Sequence, residues 1–351
     1  MTTFPNAPVL PIGADGLLTG EDAHTWYTSP DGNSRFFLEG PLAPWPGIQD
    51  GAIIPGGLKP LSPDFQQIAL KSARQPGSTW TGTVWDEMNT DIPIQLHART
   101  PQGISALISE WMGAWPPDKT GVLEHITPDR GYWYCNVRRA KAWPDAIKKA
   151  PRTVKMLALT HSITNNDAFW FGFPSISSFQ PGGTGGSGFV QLTNIGDQHA
   201  YPTVLFYGPG TLGFSNGDSL GTSTMITFGP LEAGQVVLID TRQRLRQVID
   251  LSPGAPAPQS LNSVQKLVEQ ITNFVTNNNV PPLLQQFESL FGILPPQGAL
   301  YSLLNGHYAN PIPGVAQPQW AKTVNLKVSI TGGNSASKAV FRIDPMRVWP
   351  E

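Results

Sequence analysis

The sequence QLTNIGDQHAYPTVLFYGPG (residues 191–210), continued after a gap by LEAGQVVLID (residues 231–240), has the clearest strand pattern of the chain. Short runs of aliphatic and aromatic residues alternate here with Gly, Asn, Asp and Pro. This alternation is typical of antiparallel strands that are joined by tight turns. The two stretches therefore predict a β-sandwich.

The same alternation extends over the second half of the chain. Strands are predicted at residues 154–164, 168–173, 188–194, 203–207, 222–228, 236–240, 246–251, 323–330 and 339–343. Roughly nine strands fit a sandwich or a jelly roll. We therefore predict one β-sandwich domain over residues 151–351.

A different pattern interrupts these strands at about residues 259–293. Ser260 is a predicted N-cap, and Pro281 opens a second helix that ends before Gly292. The segment is predicted to be a helical hairpin. Its apolar stripe needs a partner, either its own sandwich or a neighbouring protein. The candidate partner contacts on this stripe are Phe274, Phe287 and Phe291.

The first half, residues 1–150, combines strands with one helix. The predicted elements are strands at 25–27, 34–38, 79–85 and 91–98, a helix from 101 to 115, and strands at 121–126 and 131–139. Thr100 is the predicted N-cap, and Pro116 stops the helix. This order indicates an α+β domain, which ends at a proline and two lysines near residue 150. The chain as a whole is predicted to be mainly β.

Composition and charge narrow the function classes. The chain has 351 residues, a formal net charge of −2 and 14% charged residues. The length favours two domains, and the charge gives no electrostatic reason to bind nucleic acid or an anionic membrane. Eleven Trp residues with so few charges indicate surfaces that other protein chains cover. Burial of these Trp residues in the chain's own core is an equally open alternative.

Loops rich in Pro and Gly carry several of these apolar residues. Such a loop buries too little surface by itself to offset its ordering entropy, so we expect it to lie against another surface. In an oligomer that surface is the neighbouring subunit. The candidate residues for an oligomer interface are Trp45, Ile54, Trp80 and Trp85.

Cysteine usage and the N-terminus bear on the compartment. The single cysteine, Cys135, excludes an internal disulfide and is predicted to be a small core residue. The N-terminus lacks the basic and apolar segments of a signal peptide, and no run of about eighteen apolar residues occurs in the sequence. We expect the protein to stay in the cytosol or to leave it by cell lysis.

A search of the sequence for catalytic and cofactor motifs finds none. The six His residues lack the spacing of a helical metal site, and residues 182–188 are Gly-rich but lack the Lys of a phosphate loop. Glu124 and His125, near Asp129, form the one acid–imidazole cluster, which we expect at a solvated hairpin turn. No catalytic residue, metal or cofactor is therefore predicted.

Segments in both halves of the chain resemble one known family. In the second half, LTNIGD (192–197), AYPT (200–203) and EAGQV (232–236) resemble the galectin-like jelly-roll domain of distal tail proteins. In the first half, QPGSTW (75–80), the strand near Ile92, the helix and the hairpin from Gly121 resemble the ring-forming domain of the same family. These proteins, a class of minor tail proteins, belong to long-tailed siphophages, especially phages of mycobacteria and related actinobacteria.

The resemblance implies a structural protein of the virion tail tip and not an enzyme. It implies a hexameric ring, assembled in the host cytoplasm, that connects the tail tube to the tip or baseplate hub. The implied partners are further copies of the chain, the tail tube protein, the tail-tip hub protein and other minor tail proteins, with the tape measure as an additional candidate. The segment around Trp349 is predicted to dock on a partner. Because the family does not require the helical hairpin, an adjacent minor tail protein with the same two domains is an alternative.

Two other function classes stay open. A galectin-like sandwich is compatible with a carbohydrate-binding module, or with a receptor-binding tail protein that contacts the host cell wall. The candidate sugar contacts are Phe169, Trp170, Phe171, His199 and Tyr201, although core packing and a turn explain them equally well. A cell-wall hydrolase would need an acid pair or a metal site in a cleft.

Overall fold

The structure, a computed structural model, describes residues 23–58, 61–71, 76–143, 150–220, 224–242, 246–252, 299–316 and 320–350. The chain is mainly β, which confirms the predicted fold class. It forms two compact units. The first comprises the residues up to Phe173 together with Met346–Glu351, and the second is Pro174–Pro345.

The first unit is built around one antiparallel sheet. Its strands, with one separate hairpin, are β1 (His24–Thr28), β2 (Arg35–Glu39), β3 (Gly51–Ile53), β4 (Phe65–Leu70), β5 (Thr79–Trp85), β6 (Met88–His97), β7 (Gly121–Thr127), β8 (Gly131–Arg139), β9 (Met156–Asn165) and β10 (Trp170–Phe171). The sheet has the order β2-β1-β7-β8-β9-β6-β3, while β4 and β5 pair only with each other. The Ile54 backbone N–H donates to the Leu38 carbonyl oxygen of β2 at 2.9 Å, so the two edges of the sheet meet. The result is a nearly closed barrel.

Helix α1 (Pro101–Gly113) packs its apolar side inward, as its spacing predicts. The Thr100 Oγ1 accepts a hydrogen bond from the Gly103 N–H at 2.9 Å, which confirms the predicted N-cap. The ring of Tyr27 stacks on Trp115 at 3.6 Å between centroids, just beyond the helix. The buried helix residues are Ile104, Leu107 and Trp111.

The two units divide later in the chain than the predicted boundary near residue 150. After the short helix α2 (Pro151–Val154), β9 pairs with β6 over its whole length, from His97↔Met156 to Met88↔Asn165. Residues 156–165 therefore complete the first sheet, and the units divide after Phe173. The physical reason is the ladder of backbone hydrogen bonds between β6 and β9, which holds residues 156–165 in the first sheet.

The second unit is a jelly-roll sandwich. Its strands are β11 (Ser175–Phe179), β12 (Gly185–Asn194), β13 (Thr203–Tyr207), β14 (Gly210–Ser215), β15 (Met225–Leu231), β16 (Val236–Asp240), β17 (Gln247–Asp250), β18 (Leu304–Asn305), β19 (Lys322–Thr331) and β20 (Lys338–Ile343). One sheet has the order β11-β20-β13-β16-β17 and the other β12-β19-β14-β15-β18. The strand pairs are nested along the chain: β11·β20 encloses β12·β19, which encloses β13·β16 and then β14·β15. This nesting corresponds to one long hairpin that is rolled up, which is jelly-roll topology. The predicted sandwich is confirmed.

The core of the second unit lies between its two sheets. Strand residues alternate between buried and half-buried, as in β13, where Val204 and Phe206 point inward. After this unit, the last strand, β21 (Met346–Arg347), pairs with β10 of the first. The predicted helical hairpin at 259–293 lies outside the described residues.

Candidate interaction surfaces

The hairpin of β4 and β5 is exposed on both of its faces. Every residue of β4 is solvent-exposed, and β5 ranges from exposed to half-buried. The cross-strand register, with a bulge after Ile68, places Phe65, Trp80 and Trp85 on one face and Ile68 and Leu70 on the other. Trp80 is 64% exposed. Because a two-stranded sheet alone is marginally stable in water, this hairpin needs a surface to lie on.

One end of the hairpin is anchored in its own unit. The Trp85 ring lies edge-on to Phe65 at 5.5 Å and to Phe169 at 5.7 Å between centroids. Trp85 is accordingly half-buried, whereas Leu70 and Trp80, at the far end, are exposed. The aromatic contacts therefore hold the base of the hairpin, while Leu70 and Trp80 at the other end of the two strands stay exposed.

A second exposed apolar feature is the loop that carries Trp45. The side chain of Trp45 is 66% exposed, and Leu42 and Ile48 are exposed beside it. The loop is nevertheless well ordered, because the Trp45 carbonyl oxygen accepts from the Ile48 N–H at 3.1 Å and the Gln49 N–H at 3.0 Å. The Trp45 N–H in turn donates to Gln49 Oε1 at 3.1 Å. These hydrogen bonds involve the Trp45 backbone, and the ring of Trp45 itself is solvent-exposed.

The other predicted interface residues have mixed surroundings. Ile54 is only 5% exposed and is covered within its own chain, so it leaves little surface for a second subunit. Trp349 is half-buried. The predicted contacts Phe274, Phe287 and Phe291 lie outside the described residues. Among the four candidates for an oligomer interface, Trp45 and Trp80 therefore have the most surface to share.

The acid–imidazole cluster does not lie at a solvated turn, and that expectation is wrong. Glu124 and His125 sit in the middle of β7 and are buried, whereas Asp129 is exposed in the turn that follows. The Glu124 carboxylate accepts hydrogen bonds from Tyr132 Oη and from Thr28 Oγ1, each at 2.8 Å. The predicted strand at 121–126 already contains both residues, so the error lay in assigning them to the turn that follows it.

The environment of this cluster fits a structural role. The Nδ1 of His125 lies 2.9 Å from Thr25 Oγ1, and burial lowers the pKa of His125 to about 4, with a smaller effect from His24. Burial, and then Glu124, raises the pKa of Tyr132 well above its usual range. A carboxylate that is almost fully buried and hydrogen-bonded to two hydroxyls stabilises the barrel and is not accessible to a substrate.

Two of the candidate sugar contacts, Trp170 and Tyr201, are packed within their own units. Trp170 is fully buried, and its Nε1 donates to the Leu61 carbonyl oxygen at 2.8 Å, so it cannot serve as an open aromatic plate. Tyr201 is half-buried and lies edge-on to Tyr308 at 6.4 Å, while His199 is exposed. Core packing therefore accounts for Trp170, and packing against Tyr308 for Tyr201.

A small cleft of about 230 Å³ opens on the second unit. It is lined by Asp218, Asn310, Pro311, Lys322 and nearby apolar residues. In the ranges that the structure describes, no group of three or more His, Cys, Asp and Glu residues is placed to hold a metal ion. Nor does any helix in those ranges have the length and apolar character needed to span a membrane.

Comparison with known proteins finds structural neighbours only. No protein-family model matches the chain, and a search of the curated proteins finds no match. A chain in the structure of the phage P2 baseplate in its activated conformation matches with 9% identity and a TM-score of 0.45, over 93% of this chain and 98% of that chain. The SPP1 Dit (gp 19.1) protein, described as a paradigm of a hub adsorption apparatus in phages that infect Gram-positive bacteria, matches with 10% identity and a TM-score of 0.47, over 92% of this chain and 99% of that chain.

These neighbours are phage baseplate and hub proteins. Identities near 10% and TM-scores of this size describe a likeness in the path of the chain. They do not by themselves assign a function, which has to follow from the residues of this chain.

Proposed function

We propose that this chain is a structural protein of a phage tail tip, where copies of its first unit associate into a ring and both units bind neighbouring tail proteins. Its role is adhesion within the virion, and it makes or breaks no covalent bond. In this proposal the ring joins the tail tube to the tip hub, and the jelly-roll unit is available for further partners.

The β4–β5 hairpin is the observation that carries the proposal. Its two faces each expose apolar side chains, and the barrel of the same subunit cannot cover both. Partner surfaces on both sides of the hairpin would bury Trp80 on one face and Ile68 and Leu70 on the other. Burial of apolar surface is the dominant favourable term in protein association. The hairpin therefore fits an element that a neighbouring subunit covers.

The Trp45 loop supplies a second exposed apolar surface on the first unit. In the proposed ring the loop of one subunit contacts the hairpin of the next. Association through two dissimilar surfaces of the same chain is head-to-tail, and it produces a closed ring when the rotation closes. The hydrogen bonds within the Trp45 loop satisfy part of its backbone before any such contact forms.

The assignment to a phage tail rests on the sequence resemblance. The segments LTNIGD (192–197) and AYPT (200–203) and their counterparts in the first half follow the order of the two domains of distal tail proteins. The jelly-roll topology of the second unit and the barrel with helix α1 in the first are compatible with that order. The resemblance supplies the proposed hexamer, the partners and the location in the virion.

Sedimentation velocity of the purified full chain tests the ring. We expect wild-type protein to sediment as a closed oligomer, and Trp80→Ser to shift it toward the monomer. Trp320→Ser is a matched control, because Trp320 is 62% exposed but lies in the second unit, outside the proposed interface. A wild-type protein that stays monomeric at every concentration, or a Trp80→Ser variant that assembles as well as the control, would contradict the ring.

Electron microscopy of labelled phage tests the location separately. An antibody against the chain is expected to decorate the tail tip of virions. Its absence from purified virions would remove the tail-tip assignment, whatever the oligomeric state of the isolated protein.

A further inference from the structure

The edge of the jelly roll formed by β12 differs from the other sheet edges of the second unit. β12 has 10 residues, whereas the other edge strands, β11, β17 and β18, have 5, 4 and 2. It pairs with β19 along its full length without a bulge. Its sequence, GGSGFVQLTN, has no charged residue and no proline. Natural sheets normally protect an exposed edge with short strands, charges, prolines or bulges, and β12 has none of these.

One hydrogen bond identifies the residues of β12 whose backbone groups point away from β19. In an antiparallel ladder, residues alternate between bonding the partner strand and pointing away from it. The Thr193 N–H donates to Ser175 Oγ at 3.0 Å, on the side away from β19. Gly185, Ser187, Phe189 and Gln191 therefore also direct their N–H and C=O groups away from β19. Within the described ranges no other strand pairs with this edge, but β11 lies beside it and its Ser175 side chain caps the Thr193 N–H.

The side chains of β12 divide by face in the same way. Val190 and Leu192 point into the core and are fully buried. Of the five outward-bonding residues, 185 is a glycine, and 187, 189, 191 and 193 carry their side chains on the outer face of the sheet. Phe189 is the central one and the only large apolar one, and it is 64% exposed.

We propose that β12 is a self-association edge, at which two copies of this chain pair antiparallel about a twofold axis at Phe189. In this register Phe189 lies opposite Phe189 of the second copy, and Ser187 lies opposite its Gln191. The two Phe rings become cross-strand neighbours, which is a favoured aromatic pair. Because the strand has no charge, self-pairing brings no like charges together. The second copy also supplies extended backbone to the outward N–H and C=O groups of residues 187, 189 and 191, whereas the Thr193 N–H is already bonded to Ser175 Oγ.

The expected strength follows from the size of the contact. One strand from each copy buries much less than the roughly 1,200 Å² of a stable interface, so a single pair is weak. Several copies held in one oligomer would pair more tightly, because the later contacts are intramolecular. The inference does not require the proposed ring, and it can be tested where the ring is absent.

Disulfide trapping detects such a weak contact and defines its register. The native Cys135 is fully buried and does not compete. In the Trp80→Ser background, S187C and Q191C proteins are prepared separately and mixed under mild oxidation. A disulfide needs Cα atoms about 4.4–6.8 Å apart, a distance that the proposed register gives only between position 187 of one copy and position 191 of the other. We expect the mixture to cross-link at least tenfold faster than either variant alone. Equal rates in all three samples would overturn the pairing.

Concentration-dependent sedimentation of two variants provides an independent test. Phe189→Lys places two ammonium groups opposite each other, and Gln191→Pro removes an outward N–H without removing a bond to β19. Each is expected to weaken self-association at least tenfold in dissociation constant. Thr331→Lys is the control, because it adds the same charge on the outer face of β19, a strand that is paired on both sides. If Phe189→Lys and Gln191→Pro associate like Thr331→Lys, β12 is not the contact.

The two proposals fail separately. Loss of cross-linking with an intact oligomer would remove the β12 edge and keep the ring. Cross-linking in a protein that forms no larger oligomer would keep the edge and remove the ring.

Discussion

At the scale of single residues, the first unit is marked by buried imidazoles. His161 is 2% exposed and is surrounded by the rings of Trp111, Trp115 and Trp143, the nearest at 4.2 Å between centroids. Burial, and then the charge of Arg139, lowers the pKa of His161 to about 3. The folded protein therefore holds this ring neutral at pH values where the unfolded chain, with an ordinary pKa near 6.5, takes up a proton.

This difference predicts how stability depends on pH. Because the folded-state pKa is the lower one, the stabilisation is present above pH 6.5 and is lost as the pH falls towards 3. At pH 5, relative to pH 8, the loss from His161 is about 2 kcal/mol. The free energy of unfolding of the first unit, measured with urea, is expected to fall by about 2 kcal/mol less between pH 8 and pH 5 in His161→Phe than in wild type. His199→Phe is the control, since His199 is exposed. An unchanged pH profile for His161→Phe would contradict the assignment.

The Glu124 network makes a second prediction at this scale. Tyr132→Phe removes one of the two hydroxyl donors to the buried carboxylate and leaves an oxygen of Glu124 without that hydrogen bond. Such a group costs about 1–3 kcal/mol, and we expect that loss in the free energy of unfolding measured with urea. Tyr207→Phe is the control, because the Tyr207 hydroxyl has no hydrogen-bond partner among the described residues, and it is expected to have a much smaller effect. Equal effects would show that the network contributes nothing.

At the scale of secondary-structure elements, helix α1 gives a direct test of its cap. Thr100→Ala removes the oxygen that accepts the Gly103 N–H, and we expect a loss of about 1 kcal/mol in the free energy of unfolding. Ser105→Ala is the control, since the Ser105 hydroxyl donates only to the Pro101 carbonyl within the helix. Thermal unfolding by circular dichroism measures both. Identical melting curves for Thr100→Ala and wild type would show that the cap is not needed.

The elements that the sequence predicts well are those whose local signals agree. In α1 the Thr cap, the first-turn proline and the apolar spacing all indicate a helix, and in β13 and β16 the predicted bounds match the observed ones. β14 was not predicted, because its two glycines resemble a turn. The structure places Gly210 at a φ of 115° and Gly213 so close to Ser329 Oγ that a side chain would collide with it. These glycines permit a close approach inside a strand.

The candidate surfaces were predicted only in part, for a physical reason. An excess of Trp over charge indicates that some aromatic rings are exposed, but it does not say which ones. Trp45 and Trp80 are exposed, whereas Ile54 is buried and Trp133 and Trp170 are core residues. Strand β4 was missed because both its faces are exposed, and a strand without a buried face has no alternating pattern. Burial is set by tertiary contacts that sequence spacing does not reveal.

At the scale of the whole molecule, the two units are expected to respond differently to acid. The four buried histidines, His24, His97, His125 and His161, belong to the first unit, while His199 and His307 of the second are exposed. Burial lowers the pKa of His97, His125 and His161, so their protonation on unfolding favours loss of the first unit as the pH falls. Hydrogen exchange with mass spectrometry at pH 5 is expected to show faster global exchange in β6–β9 than in β12–β16. Faster exchange in the second unit would contradict this expectation.

The central claim is that the apolar hairpin of β4 and β5 is covered by a neighbouring copy of the chain in a phage tail tip. Electron cryomicroscopy of assembled tails tests it most directly. We predict a ring of this chain at the tail tip, with Trp80 buried against the adjacent subunit. A tail tip that lacks the chain, or a ring in which the hairpin stays exposed to solvent, would contradict the claim.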